Sequence, residues 1–190
     1  MSINFKRYLQ ILIFPSLLLL GIEAKCLDNK SAYQIEGYFG IAGMFYVELN
    51  NSMKSATDLD SKGILSEFNK EEYTNNVVVL MNSLLNKNEI SEVLNFIGSP
   101  PGKANENILK NFTSISKSNF ENSSVSKKDQ AAMESFMSRG AGVKVMNFLN
   151  SKELHELNIS YTDLLACRYF SKNKPDEFEK LRKGNVCQNI

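Results

Sequence analysis

Apolar residues recur at steps of three and four along most of the chain, which is the spacing of one face of an α-helix. The pattern is clear from Tyr38 to Leu49 and again, after a polar connection at 57–63, from Ile64 to Leu85. The β-branched run Val77-Val78-Val79 is compatible with a strand, but no alternation or hairpin turn flanks it, so we predict a helix there. The sequence therefore predicts an all-α protein.

Three glycines interrupt the first helical pattern. Gly37, Gly40 and Gly43 follow one another at three-residue steps. Each costs about 1 kcal/mol of helix propensity relative to alanine, so a compensating role is expected. We predict that another helix approaches closely over this strip of small residues. A groove for a ligand or partner is the alternative.

Two segments forty residues apart share one pattern. Asn86-Lys-Asn-Glu89 and Ser126-Lys-Lys-Asp129 both resemble a capping box, which starts a helix. Further positions match at the same offset without a gap: Val93 with Met133, Phe96 with Phe136, Ile97 with Met137, Gly102 with Gly142, and Ile108-Leu109 with Phe148-Leu149. We predict an internal forty-residue repeat that forms two αα-hairpins, at about 86–112 and 126–152, paired in a single helical bundle.

The break inside each predicted hairpin is a short turn. In the first hairpin it is Gly98-Ser-Pro-Pro-Gly102, and in the second Arg139-Gly-Ala-Gly142. Ser99 is the predicted N-cap of the next helix and Pro100 its first residue, where the missing N–H costs nothing. A third capping box, Ser160-Tyr-Thr-Asp163, predicts the start of a later helix.

The segment from Tyr73 to Lys103 resembles exported bacterial proteins of domain-of-unknown-function family 2059. An amphipathic helix runs into a Phe-x-x-Ser-Pro-x-Gly-Lys motif at Phe96 to Lys103. This sequence has Ile97 where the family usually has a second aromatic residue, and Pro101 where it has alanine. The resemblance implies a helical periplasmic protein, and it implies no catalytic residues.

The first residues have the organisation of a secretory signal peptide. A basic start leads into an apolar run from Tyr8 to Ile22, and the small residue Ala24 follows. The run contains a proline and is shorter than the roughly 20 apolar residues of a membrane-spanning helix. We predict a signal peptide at 1–24, cleaved after Ala24, and a single helical domain at 25–190 that is periplasmic or secreted. An uncleaved N-terminal anchor is the alternative.

Removal of the predicted signal peptide leaves a neutral chain. It removes Lys6, Arg7 and Glu23, so the 22 basic and 21 acidic residues of the full chain become 20 and 20. Proteins that bind nucleic acids or anionic membranes need a basic excess. We therefore predict neither a nucleic-acid partner nor an anionic membrane surface.

Three cysteines remain in the predicted mature chain: Cys26, Cys167 and Cys187. In an oxidising compartment this number allows one disulfide and one remaining thiol. A Cys167–Cys187 bond would attach the last helix to the body, while Cys26 can pair with either partner because spacing does not fix connectivity. Lipid attachment at Cys26 is a further alternative, although Glu23-Ala24-Lys25 are not all the small residues that this processing requires.

Residues that carry chemistry are sparse. The one histidine, His155, would need a second histidine at Ile159 to complete a His-Glu-x-x-His zinc site. A Gly-x-Ser-x-Gly nucleophile elbow is also absent from the sequence. We predict a protein that is not an enzyme, binds no metal and uses no cofactor.

The predicted function is protein interaction in the cell envelope, in the manner of an inhibitor or immunity protein. The predicted binding segment is the corner between the helices of the first hairpin, which consists of Ser99, Pro100, Pro101, Gly102 and Lys103. One alternative is a bundle that binds a small apolar ligand or lipid, lined by the glycine strip and by Tyr38, Phe39, Phe45 and Tyr46. The other is a hydrolase that uses His155.

Overall fold

A computed structural model describes residues 29–54, 60–110 and 125–187, without the side chains of 107–110. The predicted signal peptide, Cys26 and most of the connection between the two predicted hairpins lie outside these residues. Within the described ranges the regular secondary structure is helical, which confirms the prediction of an all-α bundle. The helices are α1 (Asn29–Phe39), α2 (Ile41–Lys54), α3 (Asp60–Ser66), α4 (Lys70–Leu84), α5 (Lys87–Gly98), α6 (Pro100–Lys110), α7 (Lys127–Met137), α8 (Gly140–Leu149), α9 (Lys152–Asn173) and α10 (Pro175–Lys183).

The helical pattern that begins at Tyr38 belongs to two helices. Gly40 has a φ of 65°, a left-handed conformation that ends α1 and that glycine adopts without steric cost. The buried carboxylate of Glu36 accepts a hydrogen bond from the N–H of Ala42, with 2.9 Å between the atoms. A negative group at the start of a helix is favourable because the first N–H groups there have no helical partner. Glu36 therefore stabilises the start of α2, directly after the break at Gly40.

The predicted helix contact over the glycine strip is wrong. A Cβ built on Gly37, Gly40 or Gly43 meets no atom within 4 Å. Because Gly40 lies between α1 and α2, the three glycines do not share one side of a single helix, and no described residue packs closely on them. Gly40 is needed for the break, whereas Gly37 and Gly43 leave open space beside the helix backbone.

An aromatic cluster lies at the centre of the core. The rings of Phe45 and Tyr73 stack with centroids 4.4 Å apart and planes 6° apart, and Tyr161 meets Tyr73 edge-on at 5.2 Å. Phe68 closes the cluster from the connection between α3 and α4. Because these residues come from α2, α4, α9 and that connection, the cluster joins most of the chain into one core.

Helix α9 starts earlier than the sequence predicts. Its N-cap is Ser151, whose hydroxyl accepts a hydrogen bond from the N–H of Leu154, and Ser160 lies inside the helix. The predicted capping box at Ser160 is therefore wrong. The short polar residues that favour a cap are tolerated within a helix when tertiary contacts favour continuation, and Tyr161, directly after Ser160, is buried in the aromatic cluster.

Polar contacts hold α3 and the start of α4 against α9. Both oxygens of Glu72 accept hydrogen bonds from the guanidinium of Arg168, each at 2.6 Å, and this contact lowers the pKa of the Glu72 carboxyl. Asp60 pairs with Lys174 at 2.7 Å, which lowers the pKa of the Asp60 carboxyl. The Glu72 pair holds the start of α4, and the Asp60 pair holds α3, whose Gly63 lies under the ring of Tyr169.

A disulfide between Cys167 of α9 and Cys187 joins the segment that follows α10 to α9. Both cysteines are buried, and their Cα atoms are 5.8 Å apart. This is one of the pairings that the sequence allowed.

The segments predicted to repeat form two adjacent hairpins, α5 with α6 and α7 with α8. Helix α5 also packs against α8, and α6 against α7, so the first helix of each hairpin contacts the second helix of the other. The rings of Phe96 and Phe136, which are equivalent in sequence, stack with centroids 3.9 Å apart and planes 3° apart. The two predicted hairpins therefore pack against each other.

Candidate functional site

The predicted binding corner, Ser99 to Lys103, forms a tightly hydrogen-bonded turn. The Ser99 hydroxyl donates to the carbonyl oxygen of Phe96 at 2.6 Å and accepts from the N–H of Gly102 at 3.3 Å. The N–H of Lys103 donates to the carbonyl oxygen of Ser99 at 2.9 Å. Ser99 thus ends α5 and caps α6, and Pro100 begins α6 as predicted.

Gly102 is required by the close approach of two backbone segments. A Cβ built on Gly102 would lie 2.0 Å from the carbonyl oxygen of Phe96, and one built on Gly142 would lie 2.0 Å from that of Phe136. Both hairpins therefore turn in the same way, over the carbonyl six residues before the glycine. The phenylalanine, serine and glycine of the motif thus each have a structural role at this corner.

A buried hydrogen-bond network connects α1 to the same corner. The Tyr38 hydroxyl donates to the carbonyl oxygen of Gly102 at 2.8 Å and accepts from the side-chain amide of Asn105 at 2.9 Å. Burial raises the pKa of Tyr38 to about 12; the Asn105 hydrogen bond lowers it and the nearby Glu106 charge raises it. Tyr38 therefore remains neutral at physiological pH and fixes α1 to α6.

Beside this network lies an open groove of about 390 Å³ between α1, α5 and α6, which we call the α1–α5 groove. Its lining residues are Gln34, Gly37 and Tyr38 from α1, Leu94, Ile97 and Gly98 from α5, and Glu106 from α6. Gly37 and Gly98 leave backbone exposed on the two walls, and a Cβ on either would meet nothing within 4 Å. Leu94 and Ile97 supply a half-buried apolar surface between them.

The groove adjoins the predicted corner but does not include it. The lining ends at Gly98, one residue before Ser99, and Pro100 and Lys103 are exposed outside it. Gln34, Leu94 and Glu106 line the groove but are not among the residues predicted from the sequence. Their positions relative to one another depend on the packing of α1 against α5 and α6, which no local pattern reports.

Of the residues predicted for the apolar-ligand alternative, Gly37 and Tyr38 line the groove. The other residues of the alternative functions lie elsewhere. Phe39 and Phe45 are buried in the core and Tyr46 is at its edge, in contact with Phe68. His155 is exposed on α9. In the described ranges, no group of three or more histidine, cysteine, aspartate and glutamate side chains is placed to hold a metal ion. No described helix has the length and hydropathy of a membrane span.

Comparison with known proteins gives no match: no family model, curated protein or solved structure is similar to this chain.

Proposed function

We propose that this chain is an exported, non-enzymatic helical protein that binds an envelope protein partner in the α1–α5 groove. One observation carries the proposal: the groove presents an apolar surface, formed by Leu94 and Ile97, between two walls that expose backbone at Gly37 and Gly98. Apolar depressions with a few polar groups at the edge are common recognition sites in proteins.

The surroundings of the groove support this role because they are rigid. Tyr38 and Asn105 are 6 % and 1 % exposed and are hydrogen-bonded to each other, so the α1 wall cannot shift easily relative to α6. The Ser99 turn fixes the end of α5 in the same way. A preformed site loses less conformational entropy on binding than a mobile one.

Export is supported by the signal-peptide pattern at 1–24 and by the buried Cys167–Cys187 disulfide, a kind of bond that persists in oxidising compartments. The expected result is that chain isolated from the periplasm of its own host begins at Lys25 by N-terminal sequencing. Chain that keeps Met1 and stays with the cytosolic fraction would contradict export.

Site-specific photo-crosslinking tests the groove. A photoreactive benzoylphenylalanine replaces Gly98, where added atoms meet open space, and in a matched control it replaces Gly43, which is equally open but lies on α2 away from the groove. In host cells we expect one discrete protein adduct from position 98, absent from position 43 and lost when Gly37→Leu fills the groove. No adduct at 98, or equal adducts at both positions, would overturn the proposal.

We also infer that the two hairpins are copies of one forty-residue unit. The support is the equivalence of buried positions at that offset: Val93 and Met133 are 0 % and 5 % exposed, and Asn105 and Val145 are 1 % and 0 % exposed. The two hairpins also share capped starts. The side chains of Asn86 and Ser126 accept hydrogen bonds from the N–H groups of Glu89 and Asp129 at 3.1 Å.

A further inference from the structure

Helix α10 contributes little to the core of the molecule. It has no buried residue, and its apolar side chains, Phe178 and Leu181, are only half-buried. Among the described residues, the core cluster and the side chains packed against it end at Phe170. Ion pairs on α10 join residues three positions apart within the helix itself. The position of α10 therefore depends on contacts other than core packing.

The segment that carries Cys187 packs on the outer side of α9. Tyr161 and Leu165 of α9 belong to the core, whereas Cys167 follows Leu165 by two residues, which is about 200° around a helix. Cys167 is nevertheless 0 % exposed, and its Cα atom lies 5.8 Å from that of Cys187. Within residues 171–187, Cys187 alone is buried. The disulfide is therefore the firmest attachment of this segment.

Helix α10 is too short to persist by itself. It has 9 residues, and helices shorter than about 12 residues are marginal in water without tertiary packing. The ion pair of Lys174 with Asp60 holds only the residue before α10, and both side chains are partly exposed. The disulfide closes the loop that contains α10 and so keeps the helix beside α9. Opening the bond should let α10 leave α9 and lose its helical structure.

We propose that the Cys167–Cys187 disulfide is a redox latch: reduction by a dithiol frees residues 175–187 from α9, exposes the outer side of α9 and leaves the core folded. A thiolate of the reductant attacks one cysteine sulfur, the S–S bond breaks, and the other cysteine leaves as a thiolate that takes up a proton. The second thiol of the reductant loses its proton and displaces the first cysteine. Two electrons thus pass to the protein, and the reductant ends as a disulfide. A dithiol oxidoreductase is the class of partner that supplies this chemistry.

Burial of the two sulfurs sets the order of events. Because both cysteines are buried, a thiolate reaches either sulfur only after α10 has lifted from α9. This local opening exposes half-buried side chains and none of the core cluster. The α1–α5 groove is formed by other helices, so the latch acts independently of the proposed partner site.

Hydrogen exchange measured by mass spectrometry tests the latch on the oxidised mature chain. We expect dithiothreitol to accelerate the exchange of the α10 amides at least about tenfold and to change that of the α4 and α5 amides less than about twofold. Retained protection of α10 after the bond is reduced would overturn the proposal. Equal loss of protection in α4 and α5 would also overturn it, because the disulfide would then support the whole fold.

Cysteine variants separate the disulfide from other effects of the reductant. In a Cys26→Ser background, Cys187→Ser should give the same fast exchange in α10 without dithiothreitol, and its Cys167 thiol should react with a maleimide. Cys26→Ser alone keeps the disulfide and is the matched control, which should behave as the wild type. A Cys167 thiol that stays unreactive in the double variant would show that α10 remains on α9 and would overturn the proposal.

The rate of reduction tests whether α10 must lift first. Leu181→Ala weakens the packing of α10 and should speed reduction by dithiothreitol about fivefold. Val79→Ala changes an exposed residue of α4 and should leave the rate unchanged. Equal rates in Leu181→Ala and the wild type would show that attack does not wait for α10 and would overturn this order of events.

Discussion

The two hairpins share a turn and a mutual contact, yet only the first is covered by α1. Helix α5 packs against α1, whereas α7 packs mainly against α6 and α8 among the described helices. The sequences differ accordingly: the apolar Ile90 and Leu94 of α5 correspond to the polar Gln130 and Glu134 of α7. Packing of α1 thus favours apolar residues on α5, and the same packing produces the groove.

The equivalent buried residues that follow the two turns, Asn105 and Val145, also differ between a hairpin that contacts α1 and one that does not. Asn105 bonds to Tyr38 of α1, while its counterpart Val145 belongs to the hydrophobic core. One structural unit can therefore serve two purposes. Both hairpins contribute to the core, but only the first also holds α1 beside an open surface, so we expect a binding surface there.

Replacing either turn glycine, Gly102 or Gly142, by alanine should lower the free energy of unfolding more than any other substitution proposed for the two hairpins. Gly102→Ala and Gly142→Ala each place a methyl group 2.0 Å from a backbone carbonyl, so the free energy of unfolding should fall by about 3 kcal/mol in each case. Urea denaturation measures this change. Gly98→Ala, with open space around it, is the control and should not destabilise. Loss at one glycine only would mean that the turns are not equivalent.

Removing the Tyr38 hydroxyl should affect the first hairpin alone. Tyr38→Phe leaves the carbonyl of Gly102 and the amide of Asn105 without their buried partner, at a cost of about 2 kcal/mol. Thermal unfolding followed by circular dichroism measures it. The exposed Tyr33 provides the control, Tyr33→Phe, which should stay within about 0.5 kcal/mol of the wild type. Equal effects from the two variants would contradict the network.

A double-mutant cycle at the stacked Phe96 and Phe136 measures how strongly the two hairpins are coupled. Phe96→Leu and Phe136→Leu should show an interaction energy of about 1 kcal/mol in a double-mutant cycle, because their rings are in parallel contact. Phe96→Leu combined with Phe178→Leu on α10 should be additive. Additivity of the Phe96 and Phe136 changes would show that the stack does not couple the two hairpins.

The smallest expected effect on stability is that of the ion pair between Glu89 of the first hairpin and Lys144 of the second. The Lys144 ammonium beside Glu89 lowers the pKa of that carboxyl below its ordinary value of 4.5. The stabilisation is therefore present above pH 4.5 and is lost as pH falls through the lowered pKa. Because Lys144 is half exposed, we expect less than about 1 kcal/mol.

Glu89→Gln should accordingly weaken the acid dependence of unfolding between about pH 5 and pH 3. Glu89 also accepts a hydrogen bond from the N–H of Asn86 in its own cap, at 2.9 Å, which lowers the pKa of its carboxyl further. The counterpart Asp129 contacts Ser126 of its own cap, so Asp129→Asn is the control for the loss of a contact within a cap. An unchanged pH profile in Glu89→Gln, measured by urea denaturation at each pH, would show that the pair contributes no stability.

Local features of this fold can be predicted from the sequence. The caps at Asn86 and Ser126 and the turn at Gly98 to Gly102 depend on residues within six positions of each other, and all three lie where expected. The helical character of Val77 to Val79 also follows from local spacing. The motif at the corner predicted a turn there, and the turn is present because Gly102 allows two backbone segments to approach closely.

The remaining features depend on contacts between distant residues. The Tyr38 network joins positions 64 and 67 residues apart, and the Glu72–Arg168 pair joins positions 96 apart, so no window of sequence contains either. The glycine strip was misinterpreted because the three-residue spacing does not show that Gly40 separates two helices. A groove at this strip was only the alternative prediction, and its walls on α5 and α6 follow from long-range packing that the sequence does not report.

The Tyr38 network also affects the order in which the helices of the molecule fold. Each turn closes over a few residues, as Ser99 does with Phe96 three positions away, and such loops close in well under a millisecond. The partner of Tyr38 is 64 residues distant, and chain closure over that length is slower. We expect α1 to dock last, onto hairpins that already exist. The groove would then be the final feature of the molecule to form, and pulse-labelled hydrogen exchange should show the amides of α1 protected after those of α5 and α8.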